Sequence, residues 1–561
     1  MTGESIYMLQ WQLLTLTRPD LFQQLLQILR AAADSGAYRL QLPRALLVLL
    51  YIIKELSTGR LQRTRQNLQS VAPEIFNVLA TIYLNKVQSW QAFFRDGGDD
   101  EGGAIESIET SLLALKTVRR LIIAGYEFPG RAKDVQEFWG LTRIHFGEFL
   151  QYVGSDDSPL ALSVQKIVEK HLMQLSKLHL NMATTHPAGF VLLPNSVDLV
   201  RDYWSLVAKV GETWGSKTID VTAIGTDGDA DDETPIYERL ALKGLLLVRA
   251  CVKMVFYPAQ SFKYKQQQDK DEKSQATQLI KSNLLTDDLV REMVSALVTR
   301  FFVFRPSDLR MWEEEPDEWE KMEEGGEDWE FAIRPCAEKL FLDLAKNFKD
   351  LIVQPLLQVF YTVASESCQD LRLQGCADCL LAPENEDVLF KDSVYTAIGL
   401  AADILHDQVD FDSFIETTLV PEAGKQKPGF NIIRRRIAII ISQWYVSATS
   451  KAPRQDYTDH MRRIAIRVAK EKKPIVYQIF QHLMDKSDPY NDQVVRVTAA
   501  RKFKDIADEW EFKADIFLPY APVILDRLMA LVQEVELPET KMVRTFPWKS
   551  REELRVLELL A

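Results

Sequence analysis

From Ser111 to Ile123 the chain reads SLLALKTVRRLII, and Leu112, Leu113, Leu115, Val118, Leu121 and Ile122 fall at three- and four-residue steps. Val394, Ile398, Leu400, Ile404 and Leu405 repeat the spacing. That is the period of a helix with one apolar stripe, and segments of about ten to twenty residues carry it along nearly the whole chain. The breaks between them are short and bear Pro, Gly, Asp or Asn. Two-residue alternation is rare and no strand-helix alternation is sustained, so the fold class is all-α. A stripe of this kind has to be covered by other helices, which makes the order of helix pairing the next question.

The late part of the chain shows one pair. Pro474 opens PIVYQIFQHLM, DKSDPYN forms a loop, and DQVVRVTAARKFKDIADEW follows as a second helix. Proline is tolerated in a first helical turn, and Asp492 is placed to cap the second helix. Val495, Thr498, Ala499, Phe503 and Ile506 form one face, with small residues that admit a close partner. Comparable hairpins run through Arg44–Trp90, Ile105–Val153, Leu160–Val210, Asp392–Tyr445 and Asp515–Val535. Each leaves an apolar face that only a stacked neighbour covers, which favours an α-solenoid. The pattern Val-Arg-x-x-Ala-Ala at Val495 to Ala500, after Asp485 and Asp488 in the turn, resembles a HEAT repeat. In that family a turn Asp and an Arg pair between successive repeats as a ladder, and the matching positions here are Asp485 and Arg496.

The expected organisation is repeats over residues 1–304, an acidic Trp-containing insertion loop at 305–332, repeats over 333–540 and a divergent tail at 541–561. Polar stretches near 96–103, 225–235 and 264–278 lack apolar anchors and are expected to be mobile loops.

Charge narrows the partners. The chain of 561 residues has 67 basic and 80 acidic side chains, a formal net charge of -13. That disfavours direct nucleic-acid binding, which needs a basic surface. The acidity is local: Glu313 to Glu330 holds eleven carboxylates against one Lys, and Asp227 to Glu233 holds five more. Five cysteines, an odd number, imply no disulfide framework. Glu4 and the absence of a basic, then apolar, opening argue against a targeting peptide, and the apolar runs are too broken by charge to insert in a membrane.

Motifs for chemistry fail on inspection. GETWGSKT at Gly211 to Thr218 has Ser216 where a phosphate-binding loop needs Lys directly after Gly. Asp227, Asp229, Asp231 and Glu238 imitate a calcium loop, but Asp232 stands where its Gly is required and Pro235 interrupts it. Cys376 and Cys379, with Cys368 upstream, lack the second pair a zinc site wants. His171 and His179 lie eight apart on one helix, and no nucleophile setting occurs, so neither an enzyme nor a cofactor is expected. Arg434, Arg435 and Arg436 form the strongest basic cluster and are expected to make pairs between repeats.

The segment MWEEEPDEWEKMEEGGEDWEF, Met311 to Phe331, combines residue types with opposite preferences. Trp prefers burial and carboxylates prefer water. Trp312, Trp319 and Trp329 are therefore expected to staple a packed loop onto the helices. Glu313, Glu314, Glu315, Asp317, Glu318, Glu320, Glu323, Glu324, Glu327 and Asp328 are the candidate contacts for a basic partner, whose Lys and Arg could also stack on the rings.

This segment, with Trp-Glu-Glu-x-Pro-x-x-Trp and Arg-Pro-Cys, resembles the acidic insertion and following helix of the importin-11 type of the importin-beta (karyopherin) superfamily. LFKDSVYTAIGLAADILHDQVDFDSFI, RRRIAIIISQW and YEFP at Tyr126 to Pro129 fit that family too, so the likeness runs from about Leu42 to Val535. The resemblance implies a nuclear transport receptor shuttling between cytoplasm and nucleus through the pore of the nuclear envelope. It further implies basic protein cargo on the inner solenoid surface, Phe-Gly nucleoporins as pore contacts, and release controlled by the Ran GTPase in its GTP form. The family's amino-terminal repeats and carboxy-terminal part have no counterpart here, so the sequence reads as the middle of a longer receptor. The alternative expectation is a structural HEAT-repeat scaffold without Ran dependence.

Overall fold

A computed structural model describes residues 21–34, 41–58, 62–96, 101–153, 161–214, 235–257, 267–324, 329–364, 386–405, 408–450, 474–507 and 514–534. Among the described residues every regular element is helical and none is a strand. The chain divides into two compact units, the first running to Val210 and resuming from Gly225 to Thr286, the second holding Gly211–Ile224 and the chain from Asp287 onward.

The first unit contains α1 (Leu21–Asp34), α2 (Gln41–Thr58), α3 (Gln62–Asp96), α4 (Glu101–Gly125), α5 (Lys133–Leu150), α6 (Leu162–Thr185), α7 (Ser196–Trp214, to Val210), α8 (Ile236–Phe256) and α9 (Gln267–Asn283). Helices α2, α4, α6 and α8 pack one against the next, and α1, α3 and α5 form the layer beside them. The apolar stripe read from the sequence lies in the interface: Leu115, Val118, Leu121 and Ile122 are fully buried, Leu112 nearly so. The most extensive pair is α3 with α4. Gly125 marks its closest approach, since a Cβ there would sit 2.8 Å from that of Ala72. The hairpins read from the sequence pair α2 with α3 and α4 with α5 instead. Amphipathic stripes show that a helix is covered without showing by which neighbour, so the phase of the hairpins slips by one helix.

Two polar stretches expected to be loops are partly or wholly helical. Glu101 to Gly103 open α4, and Gln267–Asn283 forms α9. Helix α9 buries only Asp269, Ala276 and Ile280. Its composition of Gln, Lys, Glu and Ala favours helix, but what seats it is an ion pair with a residue far away in sequence. Arg131 Nη2 donates to Asp269 at 2.5 Å, and its Nε to Glu272 at 2.8 Å. Arg131 itself is held by the turn Pro129–Arg131, where a Cβ on Gly130 would press on the Gly189 carbonyl at 2.9 Å. The stretches 225–235 and 541–561, apart from Pro235, lie outside the described residues, as do Cys368, Cys376 and Cys379.

The second unit continues with α10 (Asp287–Ala296), α11 (Pro306–Glu314), α12 (Pro316–Glu324), α13 (Ile333–Asn347), α14 (Lys349–Ala364), α15 (Glu386–Leu400), α16 (Phe430–Ser450), α17 (474–483), α18 (Gln493–Ala507) and α19 (Ala521–Glu534). Helices α15, α16 and α18 pack in succession. Tyr477 and Phe480 of α17 meet Phe503 of α18 edge-on and tilted, which closes the hairpin read from Pro474 onward. Asp492 caps α18 by accepting from the Val495 N–H at 2.9 Å, as its position implies. Val394, Ile398, Ile404 and Leu405 are buried and Leu400 half-buried. A widened helical turn, Ile415–Leu419, precedes Pro421, whose missing N–H cannot close the regular bond.

Candidate functional site

The acidic Trp segment is a pair of short helices, α11 and α12, where the sequence suggests a loop. Pro306 and Pro316 each occupy a first helical turn, where a missing N–H costs nothing. Asp308 caps α11 by accepting from the Arg305 N–H at 2.8 Å. Asp317 and Glu318 stand in the first turn of α12, the positive end of its dipole.

The two Trp rings turn inward. Trp312 and Trp319 are 4% and 0% exposed, with centroids 4.7 Å apart, and both meet Phe304 at about 6 Å. Arginines cover this cluster: Arg334 lies over Phe304 at 4.4 Å, and Arg435 over Trp319 at 4.4 Å. The indole of Trp312 donates to Asp492 at 2.9 Å, reaching the cap of α18 from 180 residues away. The staple expected from the sequence is present for these two residues. Trp329 is only half-buried.

The carboxylates divide into two sets. Glu320 and Glu323 face inward: Glu320 accepts from Thr498 at 3.0 Å and from Arg501, and Glu323 accepts from Arg334 and, at 3.1 Å, from Arg435. Asp317 accepts from Gln493 at 2.5 Å. These groups fasten the hairpin to α13, α16 and α18, and are thereby taken out of the set offered to a partner. Glu313, Glu314, Glu315 and Glu318 are exposed, Glu318 pairing with Lys321 at 2.6 Å. The side chains of Glu324, Glu327 and Asp328 lie outside the description.

Beneath the hairpin sits the arginine run of α16. Consecutive helical residues point about 100° apart, so three of them reach three different neighbours. Arg434 meets Asp488 at 2.9 Å, Arg435 meets Glu323, and Arg436 meets Asp392 at 2.8 Å, all at 6% exposure or less. Burial, and next Arg436, push the Arg435 guanidinium down to about 10, with Glu320 and Asp392 opposing. Burial lowers Arg436 too, but Asp392 and Glu338 together outweigh it and the net direction is upward. The pairs between repeats expected of this cluster are formed.

The two ladder positions, Asp485 and Arg496, each pair with α19. Asp485 accepts from Ser487 and binds Arg527 at 2.6 Å, which hold its carboxyl below the usual range. Arg496 binds Glu534 at 2.8 Å, also on α19. With Arg434–Asp488 these rungs tie α16, the 485–492 turn, α18 and α19 together.

His171 and His179 are core residues. His171 Nε2 donates to the Ile108 carbonyl at 2.9 Å, and His179 bonds Thr142 at 3.0 Å and Tyr203 at 3.1 Å. Burial holds His171 down to about 4 and His179 to about 3, so both are neutral. Cys251 is buried and its thiol pushed up to about 12. Among the described residues no group of His, Cys, Asp and Glu could hold a metal ion, and no helix is long and apolar enough to cross a membrane.

Sequence reasoning misses Arg334 and Arg501 as hairpin-seat residues, Asp392 as the partner of Arg436, and the Arg131 clamp on α9. Asp392, on a helix buried almost all round, does carry a signal: an Asp within an apolar run needs a buried cation.

No family model matches the chain. Importin beta-like protein KAP120 of Saccharomyces cerevisiae is 28% identical over 495 residues, covering 88% of this chain and 42% of that protein. Importin-11 of Mus musculus is 26% identical over 529 residues, covering 93% and 46%. Among solved structures, Lph2, described as a novel bidirectional nuclear transport receptor in S. cerevisiae, superposes with a TM-score of 0.75 at 26% identity, over 97% of this chain and 48% of that one. The chain thus spans about half the length of the curated relatives it matches. Together with the stacked helices these likenesses give a HEAT-repeat α-solenoid.

Proposed function

Because the chain belongs to the importin-beta-like karyopherins, we propose that it acts in a nuclear transport receptor, a carrier with no catalytic centre, which moves protein cargo between cytoplasm and nucleus. The observation that carries the site assignment is the exposed edge Glu313, Glu314, Glu315 and Glu318 on a hairpin whose two Trp rings are buried. A rigidly seated row of carboxylates attracts basic segments, raises encounter rates and gives an affinity that falls with salt. Basic protein cargo is the matching partner. Passage of the pore by contact with Phe-Gly nucleoporins, and release driven by Ran in its GTP form, complete the reading. Release requires that Ran and cargo oppose one another through a coupling free energy.

The test uses a fluorescent lysine- and arginine-rich peptide and the four-fold variant Glu313→Gln, Glu314→Gln, Glu315→Gln, Glu318→Gln. Binding is expected to weaken about ten-fold and to lose most of its salt dependence. Unchanged affinity removes this edge from the cargo site. The scaffold reading is favoured by one observation, the inward use of Glu320 and Glu323 as fasteners. A pull-down with the full-length receptor separates the readings: cargo lost on adding Ran-GTP marks an importer, cargo gained an exporter, and indifference a scaffold.

A further inference from the structure

The first unit carries a surface of the opposite sign. Lys116, Arg119 and Arg120 stand within five residues on α4, and Lys170 and Lys177 stand two turns apart on α6, the helix packed directly against it. Several carboxylates of this unit pair elsewhere: Glu74 with Arg30, Asp202 with Arg143, Asp269 and Glu272 with Arg131. Arg119 is fixed between the two helices, its Nη1 donating to the Asn181 side-chain oxygen at 2.9 Å in the amide orientation that satisfies both groups. Its Nε is buried without a partner. Lys116 is half-buried, and after burial the charges of Lys170, Lys177 and Arg119 hold its ammonium below the ordinary value. Lys116 thus sits among like charges on this face, in a chain whose net charge is -13.

We propose that this α4/α6 face is a docking surface for an acidic polypeptide segment, a second contact of opposite polarity to the acidic hairpin. An anionic chain laid across these two adjacent helices meets complementary charge, and also offsets the like charges around Lys116. Two helical turns of α6 span about 10 Å, and neighbouring helices lie about 8–10 Å apart. An extended segment of about four residues, at about 3.3 Å each, crosses that face. The exposed carboxylate of Glu109, two turns before Lys116 on the same stripe of α4, limits how far toward the start of the helix such a segment extends. Single-stranded nucleic acid is the poorer fit, because it is held by aromatic stacking and neither α4 nor α6 contains a Phe, Tyr or Trp.

The experiment is fluorescence anisotropy of a labelled oligo-glutamate peptide with the full chain, against the variant Lys116→Gln, Arg120→Gln, Lys170→Gln. These side chains are exposed or half-exposed, and unchanged thermal melting checks the fold. The wild-type chain binds the peptide, and the variant is expected to bind about ten-fold more weakly, with a shallower salt dependence. The hairpin variant lacking Glu313, Glu314, Glu315 and Glu318 should bind oligo-glutamate at least as well as wild type, which keeps this result independent of the cargo reading. Three outcomes overturn the proposal: no binding to wild type, equal binding by the triple variant, or tighter binding of oligo-deoxythymidine of equal charge, which assigns the face to nucleic acid.

Discussion

Between the helices of the first unit most of the buried polar groups are neutral, Asp269 and Glu238 being the charged exceptions: Tyr83 bonds His145 at 3.0 Å, His171 bonds Ser111 and the Ile108 carbonyl, and His179 bridges Thr142 and Tyr203. In the second unit the same role falls to charges, Arg434, Arg435, Arg436, Arg334 and Arg501 against Asp488, Glu323, Asp392 and Glu320. Both join consecutive helices through their interiors, and their failure modes differ. A neutral pair that loses one partner strands a modest dipole. A charged pair strands an ion, at several times the cost. The hairpin of the second unit is therefore held as a whole: its position rests on ionic contacts made from helices far apart in sequence.

The largest expected effect follows from that difference. Glu323→Ala leaves both Arg334 and Arg435 without this carboxylate and should destabilise the second unit by about 3–5 kcal/mol, whereas Thr142→Val in the first unit should cost about 1–3 kcal/mol. Urea unfolding measures both, and equal costs would end the distinction.

Acid should separate the units next. His171 and His179 have folded pKa values of about 4 and about 3, below the ordinary 6.5. The unfolded chain then binds more protons than the folded one below pH 6.5, so the stability these neutral rings contribute is present above that pH and is lost as pH falls toward 4. Each ring costs up to about 1.4 kcal/mol per pH unit, giving about 2–3 kcal/mol by pH 5.5. The second unit relies instead on arginine–carboxylate pairs and buries no histidine among its described residues. Its hydrogen-exchange protection at pH 5.5 should match that at pH 7, while α5 and α6 lose protection; parallel loss in both units contradicts the comparison.

The smallest effect concerns the hairpin's outer edge. Neutralising Glu313, Glu314, Glu315 and Glu318 should alter stability by no more than about 0.5 kcal/mol, because the fasteners are Glu320 and Glu323. A larger loss in a thermal melt would show that the outer edge also supports the fold.

Much of this is legible in the amino-acid sequence. The stripe from Leu112 to Ile122 sets a helix and its buried face, Asp492 announces a cap, and the arginine run points to pairs between repeats. The Trp residues of the acidic segment promise burial, and two of them deliver it. Less legible are the helices of the 267–283 and 306–324 segments, whose apolar anchors are few and whose partners, Arg131 in one case and Arg435, Arg501 and Asp492 in the other, lie more than a hundred residues away.

By itself the sequence determined periodicity, caps and the residue types that cannot remain unpaired, because these depend on a few neighbouring positions. Which helix covers which stripe, which carboxylates fasten and which remain outside, and which cations crowd together were decided only by tertiary structure. A helix face is set by the local period of about 3.6 residues, but a charge is set by whatever the rest of the chain brings within a few ångströms of it.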